Sequence, residues 1–550
     1  VTSQTPTTAA GAVKDFKASE LKLYARGLKK LNSWRSLIDA ANTYALPAFN
    51  PTHQADGGAE DPAAALRIRF EFEASDAVRE KGHRMHFKIF PIGQRWAGFA
   101  PGALPNGQGL TDKQAEGLKS EMEEVGERFH GAIETSNFHS EIAPAFEEVQ
   151  ISYAALMIHE GTLDNPLRFE AIPASTVVPM ESRDGVIRTV FRREKMTWEK
   201  IEERFKRVAG DKFKEPQNSQ VVTNLKSHPG DETAVIECVI HKPDNDPAKR
   251  YQYAVFLEDD ESQLVDAFLK SSPFVVFRMG KAPGENVGWG SVLSVVPKIK
   301  VLNAVRELWL QHLAIGISGI WQADDDGVLN PQNIVLKPGT IIPKAVGSAG
   351  LTPLSTGINV ELTIQAIQEM EEQVRRAILG PSMPPVDAGV RSAYENAARL
   401  AEGQEVELPA TLRILTECHE PIVERCLHIL SRDHMQGSPF YIGPVEVEDS
   451  QLEVVPLSPL IRVMKEAEAN RKVNAYATGL NLNPERTQRI TKADNILRDI
   501  MEGMGLEPDM FHDEDTVKAN DQAEQEAQRM VVEAQLASAQ GGGQGQPGPQ

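Results

Sequence analysis

Residues 291–330 read SVLSVVPKIKVLNAVRELWLQHLAIGISGIWQADDDGVLN. Val295, Ile299, Leu302, Val305, Trp309 and Leu313 recur there at steps of three and four, the period of an amphipathic helix. Pro297 stands near the start, where its missing amide costs least. The spacing predicts one helix of about twenty to thirty residues. Three adjacent aspartates, Asp324, Asp325 and Asp326, follow the apolar run. A calcium loop needs acidic ligands at alternate positions and a later bidentate glutamate. These three are consecutive and lead into GVLNPQN, so the stretch is expected to be a turn leaving a helix.

Downstream, QNIVLKPGTIIPKAVGSAGLTPLSTGIN is too rich in Gly and Pro for helix but holds two short β-like runs, NIVL and TIIP. A second helix is expected over 360–379 (VELTIQAIQEMEEQVRRAIL), with Ile364, Ile367, Val374 and Ile378 on one face. The order is therefore helix, compact excursion, helix. Gly380-Pro381 ends the second helix, and GPSMPPVDAGVR reads as an irregular loop. Ser392 and Glu395 have the spacing of a capping box. The helical stretch they open runs towards residue 434, bent or interrupted near Pro409 and Pro421. Helical segments resume from Leu460, and the tail QGGGQGQPGPQ is too polar to order.

Upstream, residues 14–46 place Leu21, Tyr24, Leu28, Leu31, Leu37 and Ile38 at mostly helical spacing up to Pro47. Residues 48–67 read as a loop. A long helix is expected from Thr111-Asp112 to Gly161, with His159-Glu160 at its end. Residues 165–280 change period: LRFEAI, STVVPMES, GVIRTVFRRE, TAVIECVIH, RYQYAVFLE and PFVVFRMG are short alternating or apolar runs. Ser182–Gly185 (SRDG) is expected to be a hairpin turn, and a helix is expected after Thr197. The fold class is α+β, mainly helical.

The chain has 550 residues, 41% hydrophobic and 25% charged, with a net charge of -20. That length allows roughly three or four domains. Its apolar runs are broken before the ~20 residues of a bilayer span. VTSQTPTTAAGAVKDFKASE has no apolar core of a secretory leader, so none is expected. Cys238, Cys418 and Cys426 are too few and scattered for a disulfide framework. The acidity argues against coating nucleic acid by counterion release, yet suits a surface past which DNA slides.

Catalytic motifs are missing. GENVGWGS (284–291) lacks the lysine of a phosphate loop and reads as a turn entering a helix. His159-Glu160 has no second histidine at zincin spacing, Cys418-His419 and Cys426-His428 lack zinc spacing, and no G-x-S-x-G occurs. No enzyme, metal or cofactor is expected.

Several blocks together carry a resemblance. They are YARGLKKLNSWRSLIDAANTYALP, VIRTVFRREKMTWEKIEERF, GWGSVLSVVPKIKVLNAVRELWLQH running into ADDDGVLNPQNIVLKPGTIIP, SAYENAARLAEGQEVELPATLRILTECHEPIVERCLHIL, and VVPLSPLIRVMKEAE. In their order the chain resembles the head-to-tail connector, or portal, proteins of short-tailed bacteriophages over most of residues 20–535. The resemblance implies a wing over 1–290, a first stem helix over 291–320, and a clip over 321–359. It further implies a second stem helix over 360–379, a channel loop over 380–391, a wing return over 392–459, and a helical crown over 460–535 before a disordered tail over 536–550.

It also implies a homo-oligomeric ring, a dodecamer, at one capsid vertex in the virion, assembled in the host cytoplasm. Double-stranded DNA would pass through it without sequence preference during packaging, retention and ejection. The partners implied are the terminase, tail adaptor proteins, and major capsid and scaffold proteins, with no membrane. Arg375, Arg376, Met383 and Arg391 would line the channel, and Lys337 and Lys344 would stand at its clip mouth. The alternative is a virion scaffold or adaptor protein without a DNA channel.

Overall fold

A computed structural model describes residues 16–47, 68–101, 112–209, 212–217, 219–243, 246–318, 321–323, 351–353, 360–380, 408–443 and 452–457, with scattered positions between 472 and 530. The chain divides into two units, Val1–Pro456 and Leu457–Gln550. The elements below belong to the first. Most of the helical segments expected from Leu460, the loop at 48–67, and the capping pair Ser392 and Glu395 lie outside the described residues.

Helix α1 spans Ser19–Ala45 and serves two cores. Leu21, Tyr24 and Leu31, near its start, are buried against the β-sheets, while Ala41 and Ala45, near its end, are buried among helices. The small residues let the second packing come close. Helix α2, Glu73–Ile89, was not marked by the apolar spacing upstream. Small residues, Ala74, Ser75, Ala77 and Gly82, make up nearly half of its buried face; they produce little hydrophobic signal yet allow close helix crossing.

Strand β1 (Ala97–Pro101) precedes α3 (Asp112–Thr135) and α4 (Phe138–Glu148). The single helix expected over 111–160 is therefore incorrect. It ends at Thr135, α4 follows, and Tyr153–Glu160 is strand β2. The run YAALMI is too short for periodicity to separate a buried strand from a buried helix. What decides is pairing on both edges, to β3 (Leu167–Ile172) and to β9 (Phe274–Arg278). His159-Glu160 thus ends a strand rather than a helix.

A second, five-stranded sheet is wholly antiparallel, in the order β4 (Val177–Glu181), β5 (Ile187–Thr197), β6 (Glu232–His241), β7 (Tyr251–Leu257), β8 (Gln263–Leu269). The β4–β5 turn is closed by the Gly185 amide donating to the Ser182 carbonyl at 3.1 Å, and Gly185 takes φ +83°, as the Asp-Gly pair predicts. Helices α5 (Trp198–Ala209) and α6 (Gln220–Ser227) sit between β5 and β6. The Ser219 hydroxyl caps α6 by accepting from the Val222 amide at 3.2 Å.

Helix α7 spans Val296–Ser318, five residues later than its expected start at Ser291. The preceding residues form turns, and Pro297 falls in the first helical turn. Short strands β10 (Trp321–Ala323) and β11 (Leu351–Pro353) pair antiparallel and bracket residues 324–350, which include Asp324–Asp326 and lie outside the described residues. Helix α8 occupies Val360–Leu379, the range its periodicity predicts.

The bent helical stretch is described from residue 408. A π-helical turn at Leu415–His419 leads into α9 (Glu420–Leu430), with Pro421 in its first turn. The interruption thus falls where a proline lacks an amide to continue the ladder. Strand β12 (Leu452–Pro456) returns to pair with β1.

Candidate functional site

Helices α7 and α8 run on either side of the β10–β11 pair, and their facing sides form one apolar cluster. Ile299 and Leu302 of α7 are buried with Ile367, Val374 and Ile378 of α8, and Ala41 and Ala45 of α1 join them. An ion pair between Arg306 and Glu371 ties the two helices across their flank.

Helix α2 fastens the C-terminal end of α8. Arg375 donates to Glu73 at 2.9 Å and to Glu80 at 2.6 Å, and Lys81 Nζ donates to the Ile378 carbonyl at 2.7 Å. A helix end leaves its last carbonyls without helical partners and carries partial negative charge, so an ammonium there is doubly favoured. The segment before α2 is clamped to α7 by Asn303, whose Nδ2 donates to the Ile68 carbonyl (3.0 Å) and whose Oδ1 accepts from the Phe70 amide (2.7 Å). The α7–α8 rod is therefore fixed at the point where residues 381–407 leave it.

The outward side of α7 is different. Val301, Leu308 and Ile315, spaced by seven, are 55%, 64% and 39% exposed, and Leu310 and Leu313, on another side of the helix, are exposed too. Helix α7 thus carries apolar residues on its outer side as well as on the side that packs against α8. Nothing among the described residues covers this stripe. The exposed face of α8 is more polar, with Glu361, Glu369, Glu372 and Arg376, although Leu362 and Ile364 are also exposed.

The turn into α7 is held by backbone proximity. A Cβ at Gly288 would stand 2.0 Å from the Ser152 carbonyl oxygen, and one at Gly290 2.1 Å from that of Gln150. Gly288 and Gly290 of GENVGWGS are therefore needed for close chain approach to the α4–β2 junction. The Gly290 amide donates to the Ile151 carbonyl at 3.0 Å.

Behind this turn lies a buried ion pair. Arg278, fully buried at the end of β9, donates from Nη2 to Glu417 Oε1 at 2.6 Å and from Nε to Oε2 at 3.1 Å. It also donates to the carbonyls of Asn286 and Gly185, each at 3.2 Å, and the Glu181 carboxylate lies 3.7 Å from its Nη2. Glu417 lies in the π-helical turn, so the pair joins that turn to β9.

The Cys–His pairs have packing roles. His419 donates to the Trp96 carbonyl at 3.2 Å and stacks on Phe90, and burial pushes it down to about 4. His428 bonds the Ser271 hydroxyl at 2.7 Å. Burial pushes the thiols of Cys418 and Cys426 up. Among the described residues no group of three or more His, Cys, Asp or Glu is gathered to hold a metal. No described helix is long and apolar enough to cross a membrane.

Of the residues singled out from sequence, Arg375 is engaged by α2, while Arg376 is largely exposed and bonds Glu372 at 2.6 Å one turn back. Met383, Arg391, Lys337 and Lys344 lie outside the described residues. Sequence reading missed Lys81, Glu73, Glu80 and Asn303. The one available signal was Glu73 and Glu80 at a seven-residue spacing, which puts both carboxylates on one helix face.

A family model described as bacteriophage head to tail connecting protein matches residues 18–511. No curated protein matches the chain. Among solved structures, a chain of a virion of a native gene transfer agent particle is 12% identical with TM-score 0.34, covering 76% of this chain and 90% of that one. A chain from the neck of an empty gene transfer agent particle is 11% identical with TM-score 0.34, covering 76% and 91%.

Proposed function

This chain belongs to the family of bacteriophage head to tail connecting proteins, structural parts of the virion at the head–tail junction, and on that premise we propose that its copies close into a ring through which double-stranded DNA passes. The ring is the portal of a short-tailed phage, a dodecamer at one capsid vertex that serves packaging, retention and ejection. Residues 291–320 and 360–379 are its stem, 380–391 the channel loop, 1–290 and 392–459 the wing, and 460–535 the crown. Residues 321–359 are the clip, which docks the terminase and later the tail proteins. Arg376, Met383 and Arg391 border the channel with Arg375 anchored behind them, and Lys337 and Lys344 stand at its mouth.

The observation that supports this reading most is the bare stripe Val301, Leu308, Ile315 on α7. An exposed apolar stripe of this kind marks an interface. In the ring a different face of the neighbouring rod receives it, a head-to-tail contact of the type that closes into rings when the rotation permits.

Negative-stain microscopy and mass photometry of the purified chain test this. Closed rings with a hole of about 20 Å or more, the width duplex DNA requires, are expected. Leu308→Glu should convert them to folded monomers, because burying an unpaired carboxylate at each contact costs several kcal/mol, roughly a hundredfold or more in affinity. Rings that persist in that variant would place the contact elsewhere. Monomers of the unmodified chain at high concentration would favour a scaffold or adaptor without a channel.

A further inference from the structure

The solvent side of α1 departs from the acidity of the chain as a whole. Between Leu21 and Ala45 its exposed residues are Lys22, Arg26, Lys29, Lys30, Ser33 and Ser36, with no acidic or apolar residue among them. Their spacing puts them on one face of the helix. Exposed cations elsewhere, Arg84, Arg128, Lys206 and Arg376, each pair with a glutamate one turn earlier. In α1 the residue one turn before Arg26 is Lys22, and the one before Lys30 is Arg26. Like charges at that spacing repel and weaken a helix. None of the four cations forms an ion pair with a described carboxylate. Two carboxylates reach α1 from other elements, but Glu261 accepts from the Lys17 and Ala18 amides and Glu285 from Trp34 Nε1.

We propose that this face of α1 binds the phosphate backbone of double-stranded DNA without reading its sequence. Lys22 to Lys30 cover about 12 Å of helix at 1.5 Å per residue. A DNA strand sets one phosphate every ~3.4 Å of its axis, so the four cations meet roughly three or four phosphates. Ammonium and guanidinium groups only donate hydrogen bonds, which suits phosphate oxygens. Ser33, whose hydroxyl donates to the Lys30 carbonyl at 2.6 Å, and Ser36 continue the face with short neutral side chains that leave room for the backbone. A protein partner fits this face less well, since protein interfaces centre on apolar and aromatic residues and are depleted in lysine. A single strand calls for exposed rings on which its bases stack. The aromatic residue nearest in sequence, Trp34, is instead partly buried, edge-on to Trp289. Leu21, Tyr24 and Leu31 seat the opposite side of this part of α1 on the β-sheets rather than on the α7–α8 rod, and the inference does not rest on the ring.

The full chain is mixed with linear duplex DNA and with covalently closed circular DNA, which cannot thread a ring, and filter retention is followed from about 50 to 200 mM NaCl. Both DNAs should bind. Three or four phosphate contacts give a slope of log K on log salt of about -3, roughly a fifty- to hundredfold loss over that range. Lys22→Gln, Arg26→Gln, Lys29→Gln and Lys30→Gln combined should leave the oligomeric state unchanged and the melting temperature unchanged or higher, because like-charge repulsion is relieved. That variant should bind closed circles roughly tenfold or more weakly at the lowest salt, with a slope near zero. Closed circles bound by chains that form no rings would uphold this inference while removing the ring. Linear DNA bound without closed circles, or unchanged binding of closed circles in the fourfold variant, would overturn it. So would a poly-glutamate peptide that binds more tightly than DNA at equal charge, which would assign the face to an acidic protein.

Discussion

At the scale of single residues, Arg278 and Glu417 show how a charge is kept inside. The guanidinium meets both carboxylate oxygens and two backbone carbonyls, and Glu417 also accepts from the Arg278 amide at 3.1 Å. Such a pair adds little net stability, but removing one partner leaves the other, buried, with weaker company: Arg413 at 3.3 Å for Glu417 and Glu181 at 3.7 Å for Arg278. Glu417→Gln is therefore expected to lower unfolding free energy by about 3–5 kcal/mol, read from urea midpoints. Arg278→Lys should cost a similar amount, since an ammonium cannot span the four acceptors. Near-normal stability in either variant would mean that the pair is dispensable. Neither residue was legible beforehand: Arg278 sits in PFVVFRMG and Glu417 in LTECHE, and no local pattern joins positions 139 apart in sequence.

At the scale of elements, the two sheets are joined by charge as well as by apolar packing. Glu170 on β3 bonds His159 of β2 at 2.7 Å and Arg192 of β5 at 2.8 Å, and Arg204 of α5 extends the network to Glu237 of β6 at 3.2 Å. Burial alone would raise the Glu170 carboxyl, but His159, Arg192 and Arg204 together hold it well below the usual range. A depressed carboxyl adds stability above its unfolded value, near 4.5, that is lost as pH falls through the folded value. The unmodified chain should lose stability between pH 5 and 3 more steeply than Glu170→Gln. At pH 7 the variant should be weaker by roughly 1 kcal/mol, since Glu170 is partly solvated. Equal acid slopes would remove Glu170 from the account. Elements with strong periodicity, α1, α5 and α8, were readable from sequence, as was the SRDG turn. Those missed, α2, α6, β1, β2, β8, β10, β11 and β12, are short, rich in small residues, or defined by a distant partner strand. Helix α2 matters most, because it supplies Glu73, Glu80 and Lys81, the side chains that hold the end of α8.

At the scale of the molecule, a net charge of -20 sets how the proposed ring meets DNA. Duplex DNA should bind it weakly, with affinity falling as salt rises, in a filter or anisotropy assay. Tight, salt-insensitive, sequence-specific binding would contradict a passage through which DNA slides. The helix–excursion–helix plan was legible from period and punctuation alone, whereas the packing of α1 and α2 against it was not, since nothing local encodes contacts over hundreds of residues. The β10–β11 pair carries a final consequence. Three register partners, Trp321 with Pro353, Gln322 with Thr352 and Ala323 with Leu351, bring the two ends of residues 324–350 to neighbouring-strand distance, about 5 Å. A segment whose ends meet that closely is a cassette: its sequence can be exchanged between relatives, or replaced by a tag, through a doorway only one strand pair wide. An exchange made through that doorway would leave the α7–α8 rod behind it unaltered in sequence.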